Sequence, residues 1–276
     1  MEDEIMTEKI RLPSEIPIDE YPPPSTFINE AISCVEEAEK KGITLRIIGG
    51  LAIYLHSQDY KDLWEKLGRL GKKVFTDIDF IGYRKHREKV VKFFQEREYT
   101  LDKRSLMYYG ERRVIFFGGR CPMVDVFFDK LEMNHTIDFR GRLEVDTPTI
   151  PPAELLLEKM QIVKIAEKDI KDTIVLLRAH EVDFHDKDAI SLNALIKAGL
   201  TSDWGFWYTF TTNLEKVVVA LDRYDVLTEN DKRDIREKVR KIREYVDAQP
   251  KSIGWKMRAK AGTKVKWYND VEDWGT

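Results

Sequence analysis

The chain has 276 residues, long enough to bury a sizeable core as one large domain or two smaller ones. Hydrophobic residues make up 42% and charged residues 34%, which excludes a disordered chain; the surplus of Lys, Arg and Glu fits surface ion-pair networks. A formal net charge of −3 excludes a strongly basic protein, so any nucleic-acid contact must come from a local patch.

Met1-Glu2-Asp3-Glu4 is acidic and lacks the apolar stretch of a signal peptide, and no apolar run approaches the ~20 residues of a membrane span. A cytoplasmic protein with no membrane partner is expected. Residues 1–25 read as an extended arm, rich in proline up to Pro22-Pro23-Pro24. Ser25 is the expected cap of a helix running to about Lys41, with Gly42 just past its end and Ile28, Ile32, Val35 and Ala38 as its apolar stripe. Leu45 to Ile48 reads as a strand stopping at Gly49-Gly50, followed by a helix over about 51–70. Phe75 to Tyr83 reads as a strand around two aspartates, and Arg84 to Glu98 as a helix. Arg113 to Phe117 and Met123 to Phe128 read as two further strands, and Leu143 to Val145 as an edge strand. The texture changes at 147–152. Beyond it, helices are expected over about 153–166, 168–181, 187–198, 204–223 and 229–247. The expected architecture is therefore α/β (α+β): a small mixed-sheet domain over 1–150, then a helical domain over 151–276 with a basic, Trp-rich tail. Cys34 and Cys121 lie far apart without metal-type spacing and read as reduced, buried thiols.

The chemistry gathers on the strands. Side chains alternate faces, so Asp77 and Asp79 project from one face roughly 7 Å apart, while Ile78 and Phe80 point into a core. In Met123-Val124-Asp125-Val126-Phe127-Phe128, Asp125 takes the face opposite Val124, Val126 and Phe128. If these strands are neighbours, three carboxylates converge. Like charges ~4 Å apart repel by roughly 4 kcal/mol at an effective dielectric near 20. A divalent cation relieves that repulsion, and hard oxygen ligands suit Mg²⁺ or Mn²⁺. Two ions sharing the carboxylates can clamp the attacking and leaving oxygens of a phosphoryl displacement. Gly49-Gly50 ends a strand and opens a helix, where bare backbone can approach phosphate oxygens. A lone Gly-Gly is as often only a turn, and Asp-x-Asp alone is common. The ordered combination with an aspartate inside an apolar strand is the informative signal, since both flanks of Asp125 demand burial.

Ile47-Ile48-Gly49-Gly50, then Asp77-Ile78-Asp79-Phe80, then Val124-Asp125-Val126 resembles the signature of the polymerase-beta-type nucleotidyltransferase superfamily. The resemblance implies that Gly49 and Gly50 grip a triphosphate, that Asp77 and Asp79 bind metal, and that Asp125 binds metal and helps activate the attacking hydroxyl. Pro152-Ala153-Glu154-Leu155-Leu156-Leu157-Glu158-Lys159-Met160, followed by Lys168-Asp169-Ile170-Lys171-Asp172, is similar to the AbiEii-like and MenT-like toxin branch. That likeness implies Lys159 on the triphosphate and Asp172 near the site, with Asp169 competing for the latter role. It also implies an NTP, two Mg²⁺ or Mn²⁺ ions, an RNA acceptor such as a tRNA 3′ end, and an antitoxin partner. Positions 51–76 make the interval before the first aspartate longer than the family's, and Lys73 stands where many relatives have arginine.

The alternatives are a small-molecule adenylyltransferase of the antibiotic-modifying kind and a catalytically silent nucleotide-binding module. Lys159 and Asp172 read equally as a solvated helix face, and Arg46 as the partner of a surface acid. The five histidines show no ligand spacing and read as surface or structural. Lys251 to Lys266 carries six basic residues and no acid, with Trp255, Trp267, Tyr268 and Trp274 interleaved or adjacent. Such a stretch can bind single-stranded RNA, but packing of its tryptophans on the helical region is the reading favoured here.

Overall fold

A five-stranded mixed sheet carries the first half of the chain. The computed structural model describes residues 11–69, 71 and 73–271. The strands are β1 (Leu45–Ile47), β2 (Ile78–Gly82), β3 (Tyr99–Leu101), β4 (Arg113–Gly118) and β5 (Met123–Phe128), in spatial order β1-β2-β5-β4-β3. β2 and β5 run parallel, and the other neighbours are antiparallel. Every residue of β5 is buried, because it lies mid-sheet. Val124, Val126, Phe80, Val114 and Phe116 are fully buried. Their face packs under the helices α1 (Pro24–Lys40) and α4 (Arg87–Glu96), with Phe94 against both Phe80 and Phe116. The opposite face presents Asp79 and Asp125 beside a small apolar patch of Ile115, Phe117 and Met123, on which Leu12 of the N-terminal arm packs. The period-two alternation of these strands thus separates core from site.

Several boundaries differ from the sequence expectation. Ser25 does not cap α1: Pro24 takes the first helical position and Pro23 the cap, with no side-chain bond. Leu45 to Ile47 form β1, and Asp77 sits one residue before β2 rather than within it. The helix expected over 51–70 is two helices, α2 (Gly49–His56) and α3 (Lys61–Leu67). The break comes where the Gln58 side chain donates to the Tyr54 carbonyl at 2.6 Å. α3 ends at Gly68 with φ +59, and position 70 lies outside the described residues. β3 and the helix α5 (Lys103–Tyr109), capped by Asp102, have no counterpart in the expectation. Leu143 to Val145 form turns rather than a strand. A hairpin of β6 (Lys130–Glu132) and β7 (Thr136–Asp138) precedes them.

The second half is helical: α6 (Pro152–Met160), α7 (Glu167–Ala179), α8 (Leu192–Leu195), α9 (Trp204–Ala220), α10 (Glu229–Ala248) and α11 (Ile253–Ala261). The helix expected over 187–198 is instead the second strand of a small parallel pair, β8 (Glu181–Asp183) with β9 (Ala189–Ser191), followed by α8. Asp188, at φ +49, is incompatible with a helix there. All nine residues of α6 are buried, and one continuous hydrophobic cluster runs from Phe27 to Val246. Residues 148–150 are sewn onto the outer edge of β1: Ile47 N donates to Pro148 O at 2.9 Å and Ile150 N to Ile47 O at 3.2 Å. Among the described residues, no helix is long and apolar enough to cross a membrane.

Candidate functional site

The parallel register of β2 and β5 sets Asp79 directly opposite Asp125. Register partners share a face, so two carboxylates stand on adjacent strands about 4.8 Å apart, and Asp77 follows the same side from just outside β2. All three line a cavity of about 630 Å³. Gly49 and Glu158 line it too. Gly49 adopts φ +71, and a Cβ there would come within 2.8 Å of Asp79 Oδ2. The glycine turn therefore approaches the acidic pair as only a residue without a side chain can.

Burial pushes the Asp79 carboxyl well above the usual carboxylate range, and the negative charges of Asp77, Asp125 and Glu158 push it further. Among the described residues, no side chain donates a hydrogen bond to Asp79. Asp77 accepts one from the Thr76 hydroxyl at 3.1 Å. Asp125 differs: Arg113 Nε lies 2.9 Å from both of its carboxylate oxygens, and Nη2 is closer still. Burial raises the Asp125 carboxyl while Arg113 pulls it down, and the balance stays above the ordinary value.

Glu158, to which no motif in the sequence assigns a role, is a fourth carboxylate. Its Oε2 accepts from Gly49 N at 3.0 Å, and its buried Oε1 has no hydrogen-bond partner. Burial raises its pKa from 4.5 to about 7, against the opposing pull of the Gly49 N–H and the Lys159 charge. Lys159, next to it, is 6% exposed and held between Asp169 at 2.8 Å and Asp172 at 3.0 Å. Burial works against its charge, but the two aspartates outweigh it, and the lysine pKa sits above its usual value. Asp172 also accepts from Arg69 Nε at 2.6 Å. The Arg69 guanidinium lies over Gly50, where a Cβ would meet Nη2 at 2.3 Å.

The expected residues therefore fall into two groups. Gly49, Asp77, Asp79, Asp125 and Lys159 line the cavity, with Asp169 beside them. Gly50 and Asp172 do not line it. They sit behind it, joined through Arg69, so the second glycine makes room for an arginine rather than facing the cavity. Lys73 is elsewhere, donating to the carbonyls of Pro13 and Ile16 at 2.8 Å and anchoring the N-terminal arm. Arg46 pairs with Glu39 at 2.9 Å. Missed by the sequence analysis were Arg69, Arg113 and Glu158, and the cavity-lining Lys164 and Lys168, which have no ion-pair partner among the described residues. Lys168 stood within the quoted motif, whereas Arg113 and Glu158 look like ordinary edge and surface charges until the fold places them.

The chain's last described residues contribute to the cavity lining. Asn134 and Asn269 exchange two hydrogen bonds, at 2.8 and 3.0 Å, and Tyr268, Asp270 and Val271 line the cavity. Trp267 Nε1 donates to Thr209 at 3.0 Å, Trp255 stacks edge-on against Trp207, and Arg258 covers Trp204. The aromatic residues of the tail thus pack on the helical half. Trp274 lies outside the described residues. Among the described residues, no three His, Cys, Asp or Glu side chains are grouped to hold a metal as they stand, and both cysteines are buried and free.

Neither a protein-family model nor a curated protein matches the chain. Among solved structures, it is similar to an antigenic nucleotidyltransferase-like protein from Paracoccidioides brasiliensis, with a TM-score of 0.40 and 12% identity over 83% of this chain and 95% of that one.

Proposed function

We propose that the chain is a metal-dependent nucleotidyltransferase that moves a nucleoside monophosphate from an NTP to a hydroxyl acceptor and releases pyrophosphate. The observation that carries this reading is the parallel pairing that sets Asp79 beside Asp125, under the Gly49 turn, in a cavity of about 630 Å³. That volume suits a nucleotide-sized ligand.

The donors fit a divalent cation at Asp77 and Asp79. Both are hard oxygen ligands, Asp79 takes no hydrogen bond from any described side chain, and the crowding of negative charge there is what a cation relieves. A bound Mg²⁺ or Mn²⁺ would neutralise charge on the triphosphate. In the transfer, the acceptor oxygen bonds to the α-phosphorus as the bond to the bridging oxygen breaks and pyrophosphate departs. Asp125 lies beside the Asp77–Asp79 pair to orient the acceptor hydroxyl and receive its proton. Lys164 and Lys168 offer unpaired positive charge to the departing phosphates. Lys159 acts differently from the family expectation: Asp169 and Asp172 already neutralise it, so its role is to brace the cavity wall.

The likeness to the toxin branch gives the acceptor as the 3′ end of a tRNA and an antitoxin as partner. Lys164 and Lys168, which line the cavity together with Tyr268, support an RNA over a small molecule. The test supplies labelled NTPs and Mg²⁺ with total tRNA or with a panel of small hydroxylated compounds. Label in tRNA together with pyrophosphate supports the reading, and Asp79→Asn should lower the rate about 100-fold or more. Label only on small compounds moves the acceptor to the adenylyltransferase class. NTP binding without pyrophosphate from any acceptor pool would mark a silent nucleotide-binding module.

A further inference from the structure

Three aspartates in this cavity invite the assumption that all three hold metal. Arg113 opposes it. This side chain opens β4 on the site face, diagonal to Asp125, and is 15% exposed. Its guanidinium is clamped between the rings of Tyr109 and Phe127, at 4.7 and 4.9 Å from their centroids. From there its Nε reaches both oxygens of Asp125, itself 3% exposed. The arrangement is fixed by ring stacking and by a bidentate fork, the strongest common form of side-chain ion pair. Asp79, directly opposite on β2, has no such partner.

We infer that Arg113 stands in for a second metal ion: the site takes one divalent cation, at Asp77 and Asp79, and the guanidinium supplies the positive charge at Asp125. This rests on the metal-dependent reading above and narrows it. Both oxygens of Asp125 accept from the guanidinium, and the lone pairs left can take a neutral hydroxyl's proton, but a second dication there would meet like charge with little solvent to screen it. Arg113 then also faces the acceptor side of the cavity with a permanent charge that needs no ion to arrive.

The test counts ions. Mn²⁺ is titrated into the full chain by calorimetry, and the bound ions are read by electron paramagnetic resonance, which reports spin-coupled pairs. The wild type should bind about one Mn²⁺ with no coupled pair, and Arg113→Gln about two with a coupled signal. Arg113→Lys keeps the charge and should stay near one. A wild type that binds two coupled ions overturns the inference and leaves the metal-dependent reading intact, as does Arg113→Gln holding at one. Binding of none by the wild type removes that reading and the inference with it. If Arg113→Gln fails to fold, the counts on the wild type and Arg113→Lys still decide.

Discussion

Gly49 shows how tightly single residues constrain this cavity. Its φ of +71 excludes most side chains, and a Cβ would press on Asp79 Oδ2 at 2.8 Å. Gly49→Ala is expected to lose about 1–3 kcal/mol of stability in urea titrations and to weaken Mn²⁺ binding, because the crowded oxygen is a proposed ligand. Glu158 makes a pH-dependent contribution. Its pKa rises from 4.5 to about 7 on folding, so between those values the folded chain keeps a proton that the unfolded chain has lost. Stability attributable to this group is therefore highest below pH 4.5, falls as the pH rises to about 7, and is flat beyond. Glu158→Gln retains an acceptor for Gly49 N without titrating. Relative to that variant, the wild type should lose up to about 3 kcal/mol between pH 4.5 and 7.5 in denaturant melts. An unchanged gap across that range would refute the burial argument.

Among the elements, α6 and α7 are tied by the buried chain Asp169–Lys159–Asp172–Arg69. Removing one member leaves the others buried and unmatched, so Lys159→Ala should cost about 3 kcal/mol or more by urea denaturation. A loss below about 1 kcal/mol would mean that the site relaxes or admits water. The tail depends on Gly205, in the first turn of α9, where a Cβ would meet the Trp267 carbonyl at 2.3 Å. Gly205→Ala should leave α9 intact, since alanine favours helix, while releasing the tail, seen as faster proteolysis near residue 267 and altered tryptophan fluorescence. These two sites also mark the limits of what the sequence disclosed. The alternation around Asp79 and Asp125 was legible because strands sort residues by parity. Lys159 was legible as important but not as an ion-paired brace, because its partners Asp169 and Asp172 lie on α7 and meet it only once α6 and α7 pack. Arg113 and Glu158 escaped notice, since a charge at a strand's start or on a helix looks solvated until tertiary packing covers it. β3 and α5 are short, and local periodicity over so few residues identifies neither.

For the whole molecule, the change in texture at 147–152 does not coincide with a break in the packing. The hydrophobic cluster spans both halves, and residues 148–150 pair with β1. Calorimetry of the full chain is expected to give one cooperative transition. A fragment ending at residue 150 should fail to reach native-like near-ultraviolet dichroism, because it lacks the fully buried α6. Two separated transitions, or a well-folded fragment, would establish independent halves.

Leu12 and Val271 border the same cavity. During translation, the acidic strands emerge long before residues 268–271 leave the ribosome. Until that happens, a nascent chain lacks the part of the cavity lining that Tyr268, Asp270 and Val271 supply. Assembly of the final wall is thus tied to the very end of the described polypeptide, and ribosome-bound intermediates stalled short of it should bind nucleotide poorly even with the sheet already formed.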